Sequence, residues 1–145
     1  MKENDMNLNH IKGIHKWNKD AGLSTSFDKS KEIAMLLEEL YEALGIPEPK
    51  QAARLFVSET NVRTDLLPVS EVNFLDALCD VEFILHGSKC KMGLTPQQDI
   101  ASIEIVLSAN MQKLHAGQDE HGKQKKPANF IPPEERLQKI LDERQ

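Results

Sequence analysis

Two short runs of the sequence place carboxylates at helical spacing. E-E-L-Y-E carries Glu38, Glu39 and Glu42, and D-A-L-C-D carries Asp76 and Asp80. On a helix Glu39 and Glu42 are i, i+3 neighbours and Asp76 and Asp80 are i, i+4 neighbours, so each pair shares a face. Like charges so placed repel unless a cation sits between them. Magnesium is the natural candidate, because it takes hard oxygen ligands in octahedral geometry and keeps bound waters. The competing reading of Glu38, Glu39 and Glu42 is a solvated helix face. Asp76 and Asp80 resist that reading more, since their stretch is otherwise apolar and a buried, unpaired carboxylate there is costly. Glu82 falls on another part of the same helix surface and reads as a surface or interface residue.

Positive and amide groups come later in the chain. Asn110 and Lys113 are i, i+3 and face the same way, and an amide donor beside an ammonium suits phosphate or sugar oxygens. An ordinary helix C-terminus, where lysine is favoured anyway, is the alternative. Lys123, Lys125 and Lys126 precede Pro127 in a basic, proline-stiffened segment. Such a segment folds over bound phosphates, folds over a partner subunit, or stays a solvated tail. The five histidines show no metal-ligand spacing.

The elements that must position these groups are all helical. Leu8, Ile11, Ile14 and Trp17 predict a first helix over 6–20, broken near Gly22. A second runs from about 29 to 44, with Asp28 or Ser30 as N-cap and Gly45, Ile46 and Pro47 as its stop. A third covers about 49–60, with Ala52, Ala53, Phe56 and Val57 inward. Ser70 caps a fourth, over about 71–86 and on to Met92, with Gly87 as a tight-packing point. Its apolar residues nearly encircle it, the mark of a central helix. Thr95-Pro96 opens a fifth, to about 115. Residues 116–133 read as an exposed tail or lid, and 134–144 as a short terminal helix. The expected organisation is a domain over 1–115 and a basic, proline-containing C-terminal segment over 116–145.

Composition narrows the partners. At 145 residues the chain has room for one domain, and its apolar fraction of 39% against 28% charged suits solvated helices with part of their stripes between subunits. A net charge of −5 without a basic field excludes duplex nucleic acid, though a metal can reverse the local sign for a polyanionic substrate. Cys79 and Cys90 lie about three helical turns apart, too far for a disulfide, and read as reduced thiols of a cytoplasmic protein. The polar start MKENDMNLNH carries no signal-peptide pattern, and no apolar run is long enough to span a membrane.

Glu39-x-x-Glu42 followed by a helix whose motif ends in Asp80 resembles the all-α NTP pyrophosphatase superfamily, most closely its MazG-like and phosphoribosyl-ATP-pyrophosphohydrolase-like members. Four further segments carry the likeness: F-L-D-A-L-C-D-V-E-F-I-L-H-G at 74–87, N-M-Q-K-L at 110–114, H-G-K-Q-K-K-P-A-N-F at 121–130, and Ile131-Pro132-Pro133. One departure is clear. The family's second motif is E-x-x-D, whereas here Ala77 stands three before Asp80 and the acid is one residue earlier, at Asp76.

The resemblance implies an all-α fold with a four-helix core, assembled as a homodimer or homotetramer, with the 29–44 and 71–92 helices adjacent and antiparallel. It implies Glu39, Glu42, Asp76 and Asp80 as magnesium ligands, with manganese as a substitute, and Glu38 or Glu39 as the group that accepts a proton from the attacking water. It implies Asn110, Lys113 and Lys126 on the substrate, and Trp17, within W-x-x-x-x-G-L, at the base. A core or interface tryptophan is the other reading of Trp17. The implied reaction splits a nucleoside triphosphate into monophosphate and pyrophosphate, as in the clearing of surplus nucleotides. The alternative is a non-catalytic helical module that binds a protein or a regulatory nucleotide.

Overall fold

In the computed structural model the described residues are 9–25, 27–62, 70–120 and 123–144. The expected helix start at 6, Leu8, Ser26 and His121 lie outside them. Among the described residues six helices follow one another: α1 (Asn9–Asp20), α2 (Lys29–Ala43), α3 (Pro49–Val62), α4 (Glu71–Lys91), α5 (Pro96–Met111) and α6 (Glu134–Asp142). The fold is all-α. Among the described residues the β content is one isolated bridge, Gln118 to Gln124.

The helix ends follow local chemistry. Asp28 caps α2, its carboxylate accepting from the Ser30 and Lys31 amides at 3.0 and 3.3 Å. At the other end Gly45, with φ +71°, lets its own N–H donate to Glu42 and the Ile46 N–H donate to Tyr41. Ser70 caps α4 by accepting from Asn73 N at 3.2 Å. Thr95 and Gln98 form a reciprocal capping box on α5, with Pro96 in the first turn. Helix α5 stops at Met111, earlier than the periodicity predicts, because the chain tightens there into i to i+3 turns through Gln112, Lys113 and Leu114.

The chain divides into two compact units, one made of Thr25–Asp80 and the other of the segments before and after it. In the first, α2 packs along α3, which buries Ala53 and Val57. Phe56, expected on that inner side, is instead exposed. Phe27, just ahead of α2, meets Phe74 of α4 edge to face at 5.7 Å between centroids. Among the described residues the helix that α2 packs along is thus α3, where the resemblance implies α4. In the second unit, α5 packs on α1 and on α6, burying Ser102, Ala109 and Ile140. Gly13 is the close point of α1 and α5, since a Cβ there would lie 2.5 Å from Leu107 Cδ2.

Helix α4 departs most from its sequence reading. Within one chain it is not a central helix: Phe74 is buried, but Val72, Leu75, Phe83, Ile84 and Leu85 are exposed, Phe83 at 81%. Gly87 lies in open space, with nothing within 4 Å of a built Cβ, so it is no packing point within the chain. The helix nevertheless runs through it to Lys91, as expected. No described helix is long and apolar enough to cross a membrane.

Candidate functional site

The acids of the first unit stand as two pairs. On α2, Glu39 and Glu42 are exposed, while Glu38 beside them is only 8% exposed. Glu32, one turn into the same helix, is pushed above its ordinary value of 4.5 by burial and by the nearby Asp28. On α4, Asp76 and Asp80 are both exposed. The cost of burying an unpaired carboxylate therefore does not arise for them within the chain. Among the described residues no three His, Cys, Asp or Glu side chains come together in a metal-binding cluster.

The groups chosen for substrate contact meet in the second unit. Trp17 on α1 donates its Nε1–H to the Asn110 carbonyl at 2.8 Å, joining the middle of α1 to the last turn of α5. The Asn110 side chain then accepts from Lys113 Nζ at 2.8 Å. An ammonium only donates, so the accepting atom must be Oδ1, which leaves Nδ2 as a donor for something else. Lys113 Nζ also lies 5.3 Å from the centroid of Phe130, and Lys126 Nζ lies 5.3 Å from the same centroid. Trp17, Asn110, Lys113 and Lys126 are thus one contact chain, with Phe130 as its shared link.

Phe130 and Gln112 escaped the sequence reading. The signal for Phe130 was an aromatic residue closing a lysine- and proline-rich run, which residue spacing alone does not place. Gln112 Oε1 accepts from Ile131 N at 2.9 Å and its Nε2 donates back to Ile131 O at 3.4 Å. That two-way contact fixes the residue after Phe130 to the end of α5. Upstream, Lys125 N donates to Gly117 O at 2.9 Å and Asp119 N to Lys123 O at 2.8 Å, so 117–119 pairs with 123–125. Gln118 Nε2 reaches Ala21 O at 3.4 Å, just beyond α1.

Beside this chain lies a cleft of about 250 Å³ between α1 and α5, lined by Ile14, Trp17, Asn18, Val106 and Asn110 among others. Its walls are aliphatic and aromatic with two amides, the make-up of a small-molecule site. Asn18 spends its Nδ2 on the Ile14 carbonyl at 2.9 Å, which leaves Oδ1 as an acceptor. A more open hollow of about 390 Å³ at Glu48, Pro49, Lys50, Gln51 and Arg54 holds none of the expected site residues.

A third group of charges joins α4 to α5. Asp99, on the first turn of α5, accepts from Lys89 Nζ at 2.8 Å and lies 2.7 Å from His86 Nδ1. Burial raises the Asp99 carboxyl, but the hydrogen bonds and charges of Lys89 and His86 outweigh it and hold the group below its ordinary value. Compared with protein-family models, with curated proteins and with solved structures, the chain finds no match.

Proposed function

We propose that the chain is a magnesium-dependent nucleoside triphosphate pyrophosphohydrolase of the MazG-like kind, releasing nucleoside monophosphate and pyrophosphate. The observation that carries this reading is the meeting of Trp17, Asn110, Lys113 and Lys126. They come from three distant segments, and the resemblance implies contact with base or phosphate for each of them.

Magnesium asks little of a protein: one or two carboxylates, with waters and substrate phosphates completing its octahedron. Glu39 with Glu42, and Asp76 with Asp80, are exposed pairs on single helix faces and fit that demand. Bound there, the cation would neutralise the phosphates and acidify the attacking water. Glu38 or Glu39 accepts the proton as the water oxygen bonds to phosphorus, the α–β phosphate bridge breaks and pyrophosphate leaves. Lys113 and Lys126, in the other unit, offer positive charge to phosphate oxygens. Trp17 has committed its N–H to Asn110, so it offers a base only its ring face.

The same reading makes the chain a homodimer or homotetramer of the cytoplasm. The exposed Val72, Leu75, Phe83, Ile84 and Leu85 of α4 form an apolar surface that a second copy would cover. Two observations favour a second reading, a non-catalytic helical module: Ala77 at the motif position, and no three-carboxylate cluster among the described residues.

A screen of nucleoside triphosphates with pyrophosphate detection, with magnesium and with chelator, tests the proposal. Hydrolysis of at least one triphosphate, abolished by chelator, is the expected result. No pyrophosphate from any triphosphate, together with a thermal shift from a non-hydrolysable nucleotide that magnesium does not enlarge, would establish the binding module instead.

A further inference from the structure

We propose that Phe130 is a positioning residue, whose ring gathers Lys113 and Lys126 into a single site for a polyphosphate chain. The proposal rests on the pyrophosphohydrolase reading only for the identity of the natural ligand, a nucleotide's phosphates. The geometry stands by itself.

Lysine ammoniums ride on long stems with much rotamer freedom, and confining two of them costs conformational entropy. Both lie beyond the end of α5 at Met111, so helix geometry does not align them. What they share is the ring, each Nζ at 5.3 Å from its centroid. The face of an aromatic ring attracts cations, and the attraction is oriented. The backbone that carries the ring is held from both sides. Phe130 N donates to Pro127 O at 3.1 Å, closing a turn, and Ile131 is tied to Gln112 in both directions. Lys113 has a second handle in Asn110 Oδ1. The cationic groups are therefore partly ordered before a ligand arrives, which lowers the cost of binding it.

Two ammoniums drawn to one ring also repel each other. A multiply charged anion relieves that repulsion, and a longer phosphate chain relieves it more fully by meeting both nitrogens. This favours tripolyphosphate over inorganic phosphate. The half-buried ring adds nothing to the ligand by direct contact in this account; it acts through the lysines.

The test is calorimetric titration of the full chain with sodium tripolyphosphate and with inorganic phosphate, in magnesium-free buffer, for wild type, Phe130→Leu and Phe130→Tyr. Tripolyphosphate should bind wild type more tightly than phosphate does. Leu fills similar space without a π face, so Phe130→Leu should weaken tripolyphosphate binding by about five- to tenfold, from the loss of two cation–π contacts. Phe130→Tyr keeps the π face and should stay within about twofold of wild type. Equal affinity in the Leu and wild-type chains overturns the proposal, as does a Tyr variant as weak as Leu. A second measurement needs no variant: in wild type the ε-methylene protons of Lys113 and Lys126 should show ring-current shifts that move as tripolyphosphate is added. Resonances that stay unshifted and unmoved overturn it, whether or not Phe130→Leu folds. Tripolyphosphate binding that depends on the ring, in a chain that hydrolyses no nucleotide, would sink the enzymatic reading and leave this site standing. Nucleotide hydrolysis with ring-independent binding would do the reverse.

Discussion

Trp17 and Asn110 are 93 residues apart in the chain and are joined by a hydrogen bond of 2.8 Å from the indole N–H to the backbone carbonyl. The carbonyl belongs to the last turn of α5, where it also accepts from Lys113 N. The bond thus fixes α1 against the helix end from which the Asn110 amide and Lys113 project. Replacing Trp17 by Phe keeps an aromatic wall but removes the donor. We expect a loss of about 1 kcal/mol in stability, the usual net worth of one such bond. Urea unfolding followed by circular dichroism measures it, and an unchanged midpoint would show that the bond is ornamental.

The Asp99 group gives a pH dependence with a defined sign. Its carboxyl is held below the ordinary value of 3.8, since hydrogen bonds and charge from Lys89 and His86 outweigh burial. A depressed carboxylate contributes stability above the unfolded value, and the contribution is lost as pH falls through the folded one. Asp99→Asn should therefore be less stable than wild type at pH 7, by about 1 kcal/mol for a partly exposed cluster. The gap should close below pH 3.8 as the wild-type carboxylate is protonated. Thermal melts of both chains across that range decide it; a gap that widens towards acid contradicts the assignment.

Helix positions, and the ends that a capping residue sets, were legible in the sequence because they are fixed locally; the end of α5, at Met111, was not. Asp28, Ser70 and Thr95 cap as their types demand, and Gly45 ends α2 where a left-handed residue is needed. Helix pairing was not legible. Ala52, Ala53, Phe56 and Val57 mark an apolar stripe on α3, but no pattern says which helix it meets; Ala53 and Val57 are buried and Phe56 is not. The encircling apolar surface of α4 marks a central helix with part of its stripe left for another chain, and periodicity does not say which of its residues go to which; Val72, Leu75, Phe83, Ile84 and Leu85 are the ones left exposed. At the candidate site, residue type and motif singled out Lys113 and Lys126, while the ring that joins them lies in a turn with no period.

The exposed apolar residues around α4 lead to a prediction about assembly. Val72 is 71% exposed and Ile84 62%, beside the still more open Phe83. Each such side chain, once covered, contributes roughly 1.5–3 kcal/mol. The 16.4 kDa chain should therefore run in light scattering at twice or four times its mass. Phe83→Glu, which puts a charge on that surface, should shift it towards the monomer with helix content preserved. A wild-type chain that stays monomeric when concentrated, with nucleotide hydrolysis intact, would remove the argument for a second copy.

The acids can be separated one at a time. Glu39→Gln, Glu42→Gln and Asp80→Asn should each abolish magnesium-dependent hydrolysis with little effect on folding. All three side chains are exposed, so their replacement leaves no cavity. Taking one like charge from an i, i+3 or i, i+4 pair relieves repulsion, and without metal the variants should be as stable as wild type or slightly more so. This is the usual trade between function and stability at a charged site. Asp76→Asn is the informative case, because Ala77 occupies the position where the second acid of the motif is expected. If Asp76 supplies that acid, its loss should be as severe as that of Asp80. If it is only a neighbour, activity should fall modestly, and Ala77→Glu should raise it. Pyrophosphate release measured for each variant against magnesium concentration distinguishes these outcomes. A metal ligand shows as a raised magnesium requirement, a proton acceptor as a lowered rate at saturating metal. Full activity in Glu42→Gln or Asp80→Asn would end the carboxylate mechanism, and hydrolysis indifferent to chelator would end the role of the metal.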